Sequence, residues 1–135
     1  MSVIKSKRGV SEMEFLANAR KLQIHTIRKC VGFPKRYTFY LSQPIAAAAT
    51  RVYEHAKRGN SIYPVNQHEA QLRRDCFLEA YAELQSLVSQ IEIAHEMFGI
   101  DPDAMKTWMG MIDAEMRLVR TVIKNDRARY KALPA

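Results

Sequence analysis

Residues 66–99, NQHEAQLRRDCFLEAYAELQSLVSQIEIAHEMFG, decide the fold. Phe77, Leu84, Ile91 and Phe98 recur every seven residues, with Ala80, Leu87 and Ala94 between them. That spacing places all seven side chains on one helical face. Asn66 is a helix cap, Glu69 completes a capping-box pattern with it, and Gly99 ends the run. The result is one helix of about 32 residues, roughly 48 Å long at 1.5 Å per residue, whose seam needs helical partners.

The flanking sequence supplies them. Asp101-Pro102 opens a fourth helix, since Asp caps well and Pro suits the first helical position. Met105, Met109, Ile112, Met116, Val119 and Ile123 keep one face, while Trp108, Met111, Leu118 and Val122 widen it. Core filling is the first role for most of these residues, yet the width exceeds one partner helix and leaves room for oligomerisation or docking to a protein, with Trp108 available as an anchor. Upstream, Ser11 and Glu14 form a capping-box pattern for a first helix carrying Phe15, Ala19, Leu22, Ile27 and Val31. Gly32 is expected to supply a left-handed cap before Pro34. A second helix is expected from about Arg36 to Arg58 along Leu41, Ile45, Ala48 and Val52. Pro44 either kinks it or moves its regular start to Gln43. Residues 59–66 form the longest break, and residues 1–10 are expected to be extended or disordered.

The expectation is an all-α, antiparallel up-down-up-down four-helix bundle, one domain over residues 1–135, with a basic segment at 1–10 and a tail at 132–135. Cys30 and Cys76 have no metal-type spacing and read as reduced, partly buried thiols. No apolar run is long enough for a signal peptide or a membrane span, and a cytoplasmic protein is expected.

Charge is the strongest functional signal. The net charge is +7, and all of it lies in the first 36 residues. There Lys5, Lys7, Arg8, Arg20, Lys21, Arg28, Lys29, Lys35 and Arg36 face only Glu12 and Glu14. Arg28-Lys29 and Lys35-Arg36 bracket the first turn, and Tyr37, Phe39 and Tyr40 follow. Basic groups neutralise phosphates and exposed aromatics stack on unpaired bases; equally, Phe39 and one tyrosine serve a core beside solubilising charges. A second cluster, Arg117, Arg120, Lys124, Arg127, Arg129 and Lys131, meets only Asp126. Arg73 and Arg74 extend either surface or pair with Asp75 and Glu69. Phosphate-backbone binding fits this better than base reading, because no helix-turn-helix or zinc module is present. The candidate nucleic-acid-binding residues are thus Arg28, Lys29, Lys35, Arg36, Arg73, Arg74, Arg117, Arg120, Lys124 and Arg127.

Catalytic chemistry has little support. A di-iron carboxylate bundle wants two Glu-x-x-His pairs and two further glutamates, whereas Glu92 and His95 form one pair and Ile91 holds the seam beside them. His25, His55, His68 and His95 are scattered, no phosphate-binding or dinucleotide loop is present, and Glu79, Glu83, Glu92 and Glu96 read as a solvated face. The expectation is a non-enzymatic protein without metal or cofactor.

Three stretches carry a resemblance: Val3-Ile4-Lys5-Ser6-Lys7-Arg8, Phe33-Pro34-Lys35-Arg36-Tyr37 and Asn60-Ser61-Ile62-Tyr63-Pro64. With the helical architecture they resemble the small four-helix-bundle family that includes the 23S ribosomal RNA intervening-sequence proteins and the accessory variability determinant of diversity-generating retroelements. The resemblance implies a homopentameric barrel that binds a reverse transcriptase and RNA or DNA. Five copies at +7 each would present a charge of about +35. The alternative is a structural or regulatory bundle that binds only protein.

Overall fold

A computed structural model of the protein describes residues 3–135, with side chains from Glu14 onward. The described chain is all-α, with four long helices and no strand: α1 (Val3–Val31), α2 (Gln43–Asn60), α3 (Gln67–Phe98) and α4 (Pro102–Arg129). Each helix packs on two others, α1 and α3 on α2 and on α4, so the four close a ring around one core. The pairings show the register. Gln23 on α1 donates to Thr50 on α2 at 3.1 Å, Arg51 on α2 meets Glu83 on α3 at 3.0 Å, and Asn18 on α1 donates to Glu115 on α4 at 3.0 Å.

The α3 seam is buried as its heptads require: Phe77, Ala80, Leu84, Leu87, Ile91 and Ala94 are all inaccessible to solvent. Leu41, Ile45, Ala48 and Val52 are buried too, and Ala49 and Ala56 let α2 approach closely. Asn66 caps α3 by accepting from the Glu69 N–H at 2.8 Å. The Glu69 carboxylate reaches back one residue further than a capping box, to the Val65 N–H at 2.9 Å. Asp101 caps α4 through the N–H groups of Asp103 and Ala104.

Several expectations are corrected. α1 begins at Val3, so residues 3–10 are helical rather than extended, and Ser11 lies inside the helix rather than at its start. The side chains of Lys5, Lys7, Arg8 and Ser11 lie outside the described residues. Gly32 does not take the left-handed conformation; among the described residues only Gly99 has a positive φ, 75°. The buried stripe of α1 continues from Leu22 through Thr26 and Cys30, leaving Ile27 half-exposed and Val31 80% exposed. Thr26 is tolerated inside because its hydroxyl accepts the Trp108 indole N–H at 3.0 Å. Trp108 is therefore a core residue of this chain, unavailable as a partner anchor. Met111, Leu118 and Val122 also pack on the core, so the width of the α4 face is absorbed by its own neighbours.

The expected second helix divides at Pro44. Lys35–Tyr37 form a 3₁₀ turn, Thr38–Ser42 a single π-helical turn, and the regular helix starts at Gln43, with the Gln43 N–H bonded to the Thr38 carbonyl. Pro44 has no N–H to donate and its ring crowds the carbonyl four residues back, so the wider turn relieves the clash. At its other end α2 runs to Asn60, with Gly59 buried inside the helix.

Candidate nucleic-acid interface

The structure places the basic residues in two groups at opposite ends of the bundle. α3 serves as the ruler. Phe98, at its end, packs against Phe33 (ring centroids 4.8 Å apart) and stacks on Tyr37 (5.3 Å, 22° between planes). Arg73, near its start, meets Asp126 on α4, and Tyr81 lies under Arg120. The first-turn cations and the α4 cations are thus separated along α3 by roughly 25–38 Å.

At the first end, Arg28 and Lys29 in the last turn of α1 flank a groove of about 510 Å³ floored by Phe33, Phe98 and Ile100. A second groove, about 400 Å³, runs between α1 and the π turn, with Ile27, Val31, Phe33 and Ala46 as apolar walls and Lys35 at its rim. Beside it Phe39 and Tyr40 are 76% and 80% exposed. Tyr37 belongs to the packing instead, with the Arg36 guanidinium 5.2 Å from its ring. Among the described residues, no carboxylate pairs with Arg28, Lys29, Lys35 or Arg36. His25 lies behind this cluster near Trp108, its imidazole held below the ordinary histidine pKa by burial and by the positive charges of Lys29 and Arg28.

At the other end, Arg120, Lys124 and Arg127 line one side of a groove of about 460 Å³ between α3 and α4. Leu78, Tyr81 and Ile123 form its floor, with the Arg120 guanidinium 5.6 Å from the Tyr81 ring. Arg74 stands one turn before Leu78 on the same face of α3 and donates to Gln71. Arg117 is exposed one turn before Arg120.

Arg73 does not belong to this surface. It is 1% exposed, and its guanidinium donates to Asp126 at 2.7 and 3.4 Å and to the carbonyls of Gly59 and Ile62. Its partner is Asp126, and neither Asp75 nor Glu69 takes that place. Asp126 turns inward to Arg73 and is 5% exposed, so its carboxylate is not presented at the surface beside Arg120, Lys124 and Arg127.

The remaining candidates are placed as follows. Glu92 is exposed, and His95 is occupied at the end of α3, where its Nδ1 accepts the Ile100 N–H at 2.9 Å. Among the described residues no group of three His, Cys, Asp or Glu is arranged to hold a metal ion. Glu83 pairs with Arg51 and Glu79 lies 3.6 Å from His55, so part of the acidic face of α3 is spent on α2. Cys30 is buried and its thiol pKa is pushed up to about 11 by burial, while Cys76 is half-buried; both are free. No described helix is long and apolar enough to cross a membrane.

Sequence reasoning missed the floor of the α3–α4 groove, although Leu78 and Tyr81 sit just off the seam. Comparison with known proteins returns no family model, no curated protein and no solved structure that matches this chain.

Proposed function

We propose that the protein is a non-enzymatic nucleic-acid-binding accessory protein whose primary contact is the end carrying Arg28, Lys29, Lys35, Arg36, Phe39 and Tyr40. The observation that carries this reading is the exposure of Phe39 and Tyr40 beside cations that pair with no carboxylate among the described residues. Cations alone have a simpler use here, because Arg28-Lys29 and Arg127 close helix C-termini, where positive charge offsets the helix dipole. Helix capping does not account for two neighbouring aromatic rings held in solvent. Stacking on unpaired bases does, with Lys35 and Arg36 reaching the adjoining phosphates.

The resemblance to the intervening-sequence and accessory variability determinant family supports a more specific version. In it the partner is a reverse transcriptase of a diversity-generating retroelement and the working form is a homopentamer in the cytoplasm. A neighbouring reverse-transcriptase gene with a template repeat would support the first, and sedimentation of the purified protein tests the second.

The binding claim is tested by titrating labelled RNA and DNA oligonucleotides with the protein across a salt series. Affinity should fall steeply with salt, and Lys35→Glu with Arg36→Glu should weaken binding and reduce its salt dependence. Absence of binding at low salt overturns the reading. A protein-only bundle is favoured by one observation, the apolar groove at Ile27 and Val31. It predicts that the same charge reversal leaves partner capture intact and that no oligonucleotide binds.

A further inference from the structure

We infer that the protein bridges two nucleic-acid strands, holding one at each end of the bundle. The inference rests on the nucleic-acid reading above and extends it from binding to joining.

Three observations carry it. The groove between α3 and α4 is a second complete cationic site. Arg120, Lys124 and Arg127 surround an apolar floor of Leu78, Tyr81 and Ile123, and Asp126, the acidic residue nearest in sequence, is committed to buried Arg73. Arg120 over Tyr81 keeps its N–H groups free for a phosphate while the ring fixes the guanidinium plane.

The second observation is distance. Roughly 25–38 Å separate this groove from the Lys35–Tyr40 end, several times the screening length of about 8 Å at physiological salt. Each end therefore attracts its own ligand with little influence from the other.

The third is what lies between. α3 spans both ends, and after Arg74 it carries no lysine or arginine; Asp75, Glu92 and Glu96 are exposed on it, while Glu79 and Glu83 face His55 and Arg51 on α2. Phosphates held at one end meet carboxylates along this helix, so a single strand is not led down α3 to the other end. Two separate cationic ends divided by an acidic helix are the arrangement of a linker between strands.

The test immobilises a biotinylated oligonucleotide, adds the intact protein, washes, and then offers a fluorescent oligonucleotide of non-complementary sequence. Retention of the fluorescent strand only when protein is present is the expected result. Two variants locate the effect: Lys35→Glu with Arg36→Glu at one end, and Lys124→Glu with Arg127→Glu at the other. Each should still bind a single strand but capture no second one. If the charge reversal on α4 lowers the melting temperature, the Lys124→Gln with Arg127→Gln pair serves in its place. Capture of the first strand without the second by the intact protein overturns bridging. Undiminished bridging by either variant also overturns it, because self-association would then be doing the joining. Failure to bind even the first strand at low salt overturns the underlying nucleic-acid reading itself.

Discussion

Arg73 and Asp126 form a buried, two-point ion pair that joins the start of α3 to the end of α4. The Arg73 Nε donates to Asp126 at 2.7 Å and Nη2 at 3.4 Å, while Nη1 holds the carbonyls at the end of α2. The guanidinium also lies 5.0 Å from the Phe77 ring. Removing one member leaves the other charged and dry. Arg73→Met should therefore cost about 3–5 kcal/mol, lowering Tm by roughly 10 °C or more. The double variant Arg73→Met with Asp126→Leu should recover at least half of that loss, since no bare carboxylate remains. Denaturant titration of the three proteins measures both terms. A loss below about 1 kcal/mol in the single variant would show that the pair contributes little.

Glu115 gives the fold a pH dependence of unusual sign. It is fully buried, accepts from the Asn18 side chain at 3.0 Å, and has a second carboxyl oxygen that finds no partner among the described residues. Burial pushes its pKa from 4.5 up to about 8, against the smaller opposing effect of the Asn18 hydrogen bond. Between these values the folded protein holds a proton that the unfolded chain releases, so stability falls as pH rises through that window. The limiting slope is about 1.4 kcal/mol per pH unit. His25, with its lowered pKa, acts in the opposite sense by losing stability as pH falls. Glu115→Gln mimics the protonated acid and keeps the Asn18 contact. It should match the native protein near pH 4 and exceed it in Tm above pH 8. Equal melting curves at both pH values would show that the carboxyl ionises freely.

The two buried acids and the buried arginine were legible in the spacing, though composition drew attention elsewhere. Arg73 falls four residues before Phe77, on the α3 seam. Glu115 stands four before Val119 and Asp126 three after Ile123, on the α4 stripe. A charged residue at a seam position points inward whatever its charge suggests, and here that geometry outweighs solvation because partners or a proton are supplied. The long helices and their caps at Asn66 and Asp101 were readable for the same reason, as period and capping chemistry are local. Where α1 turns its face was harder to read. Choosing Ile27 and Val31 over Thr26 and Cys30 follows hydrophobicity, while the Trp108 indole on a helix 82 residues away makes the hydroxyl acceptable inside. The candidate cations were visible individually. Their division between two ends depends on the ring of helices, which no local pattern encodes.

Two glycines inside helices should respond to alanine with opposite signs. A Cβ at Gly59 would lie 2.6 and 2.9 Å from carbons of the buried Phe77 ring and 3.0 Å from the Cys76 Cβ. The gain in helix propensity, about 1 kcal/mol, is then exceeded by overpacking of typically 1–3 kcal/mol. Gly59→Ala should be neutral to destabilising by up to about 2 kcal/mol. At Gly110, exposed in the middle of α4, a Cβ meets nothing within 4 Å. Gly110→Ala should stabilise by about 0.5–1 kcal/mol, read as a rise in Tm. A rise of similar size in both variants would show that α2 and α3 can separate to admit the methyl group.

The π turn yields the sharpest functional prediction. Pro44 widens the backbone just before α2, and Phe39 and Tyr40 leave the turn into solvent while Tyr37 stays packed on Phe98. Replacing both exposed rings by alanine removes no core contact, so Tm should change little, within the roughly 0.5 kcal/mol typical of surface sites. Single-stranded oligonucleotides should lose about 1–3 kcal/mol of affinity per stacked base, roughly 5–150-fold for each ring. Duplexes of the same length should lose almost none, because their bases are already stacked on one another and offer only phosphates. Lys35→Glu with Arg36→Glu should weaken both ligands and flatten the salt dependence, since the phosphate contacts themselves are gone. Fluorescence anisotropy with matched single and double strands separates the two contributions. If Phe39→Ala with Tyr40→Ala binds single strands as tightly as the native protein, the rings play no part in recognition, and the cations alone would then carry whatever binding remains.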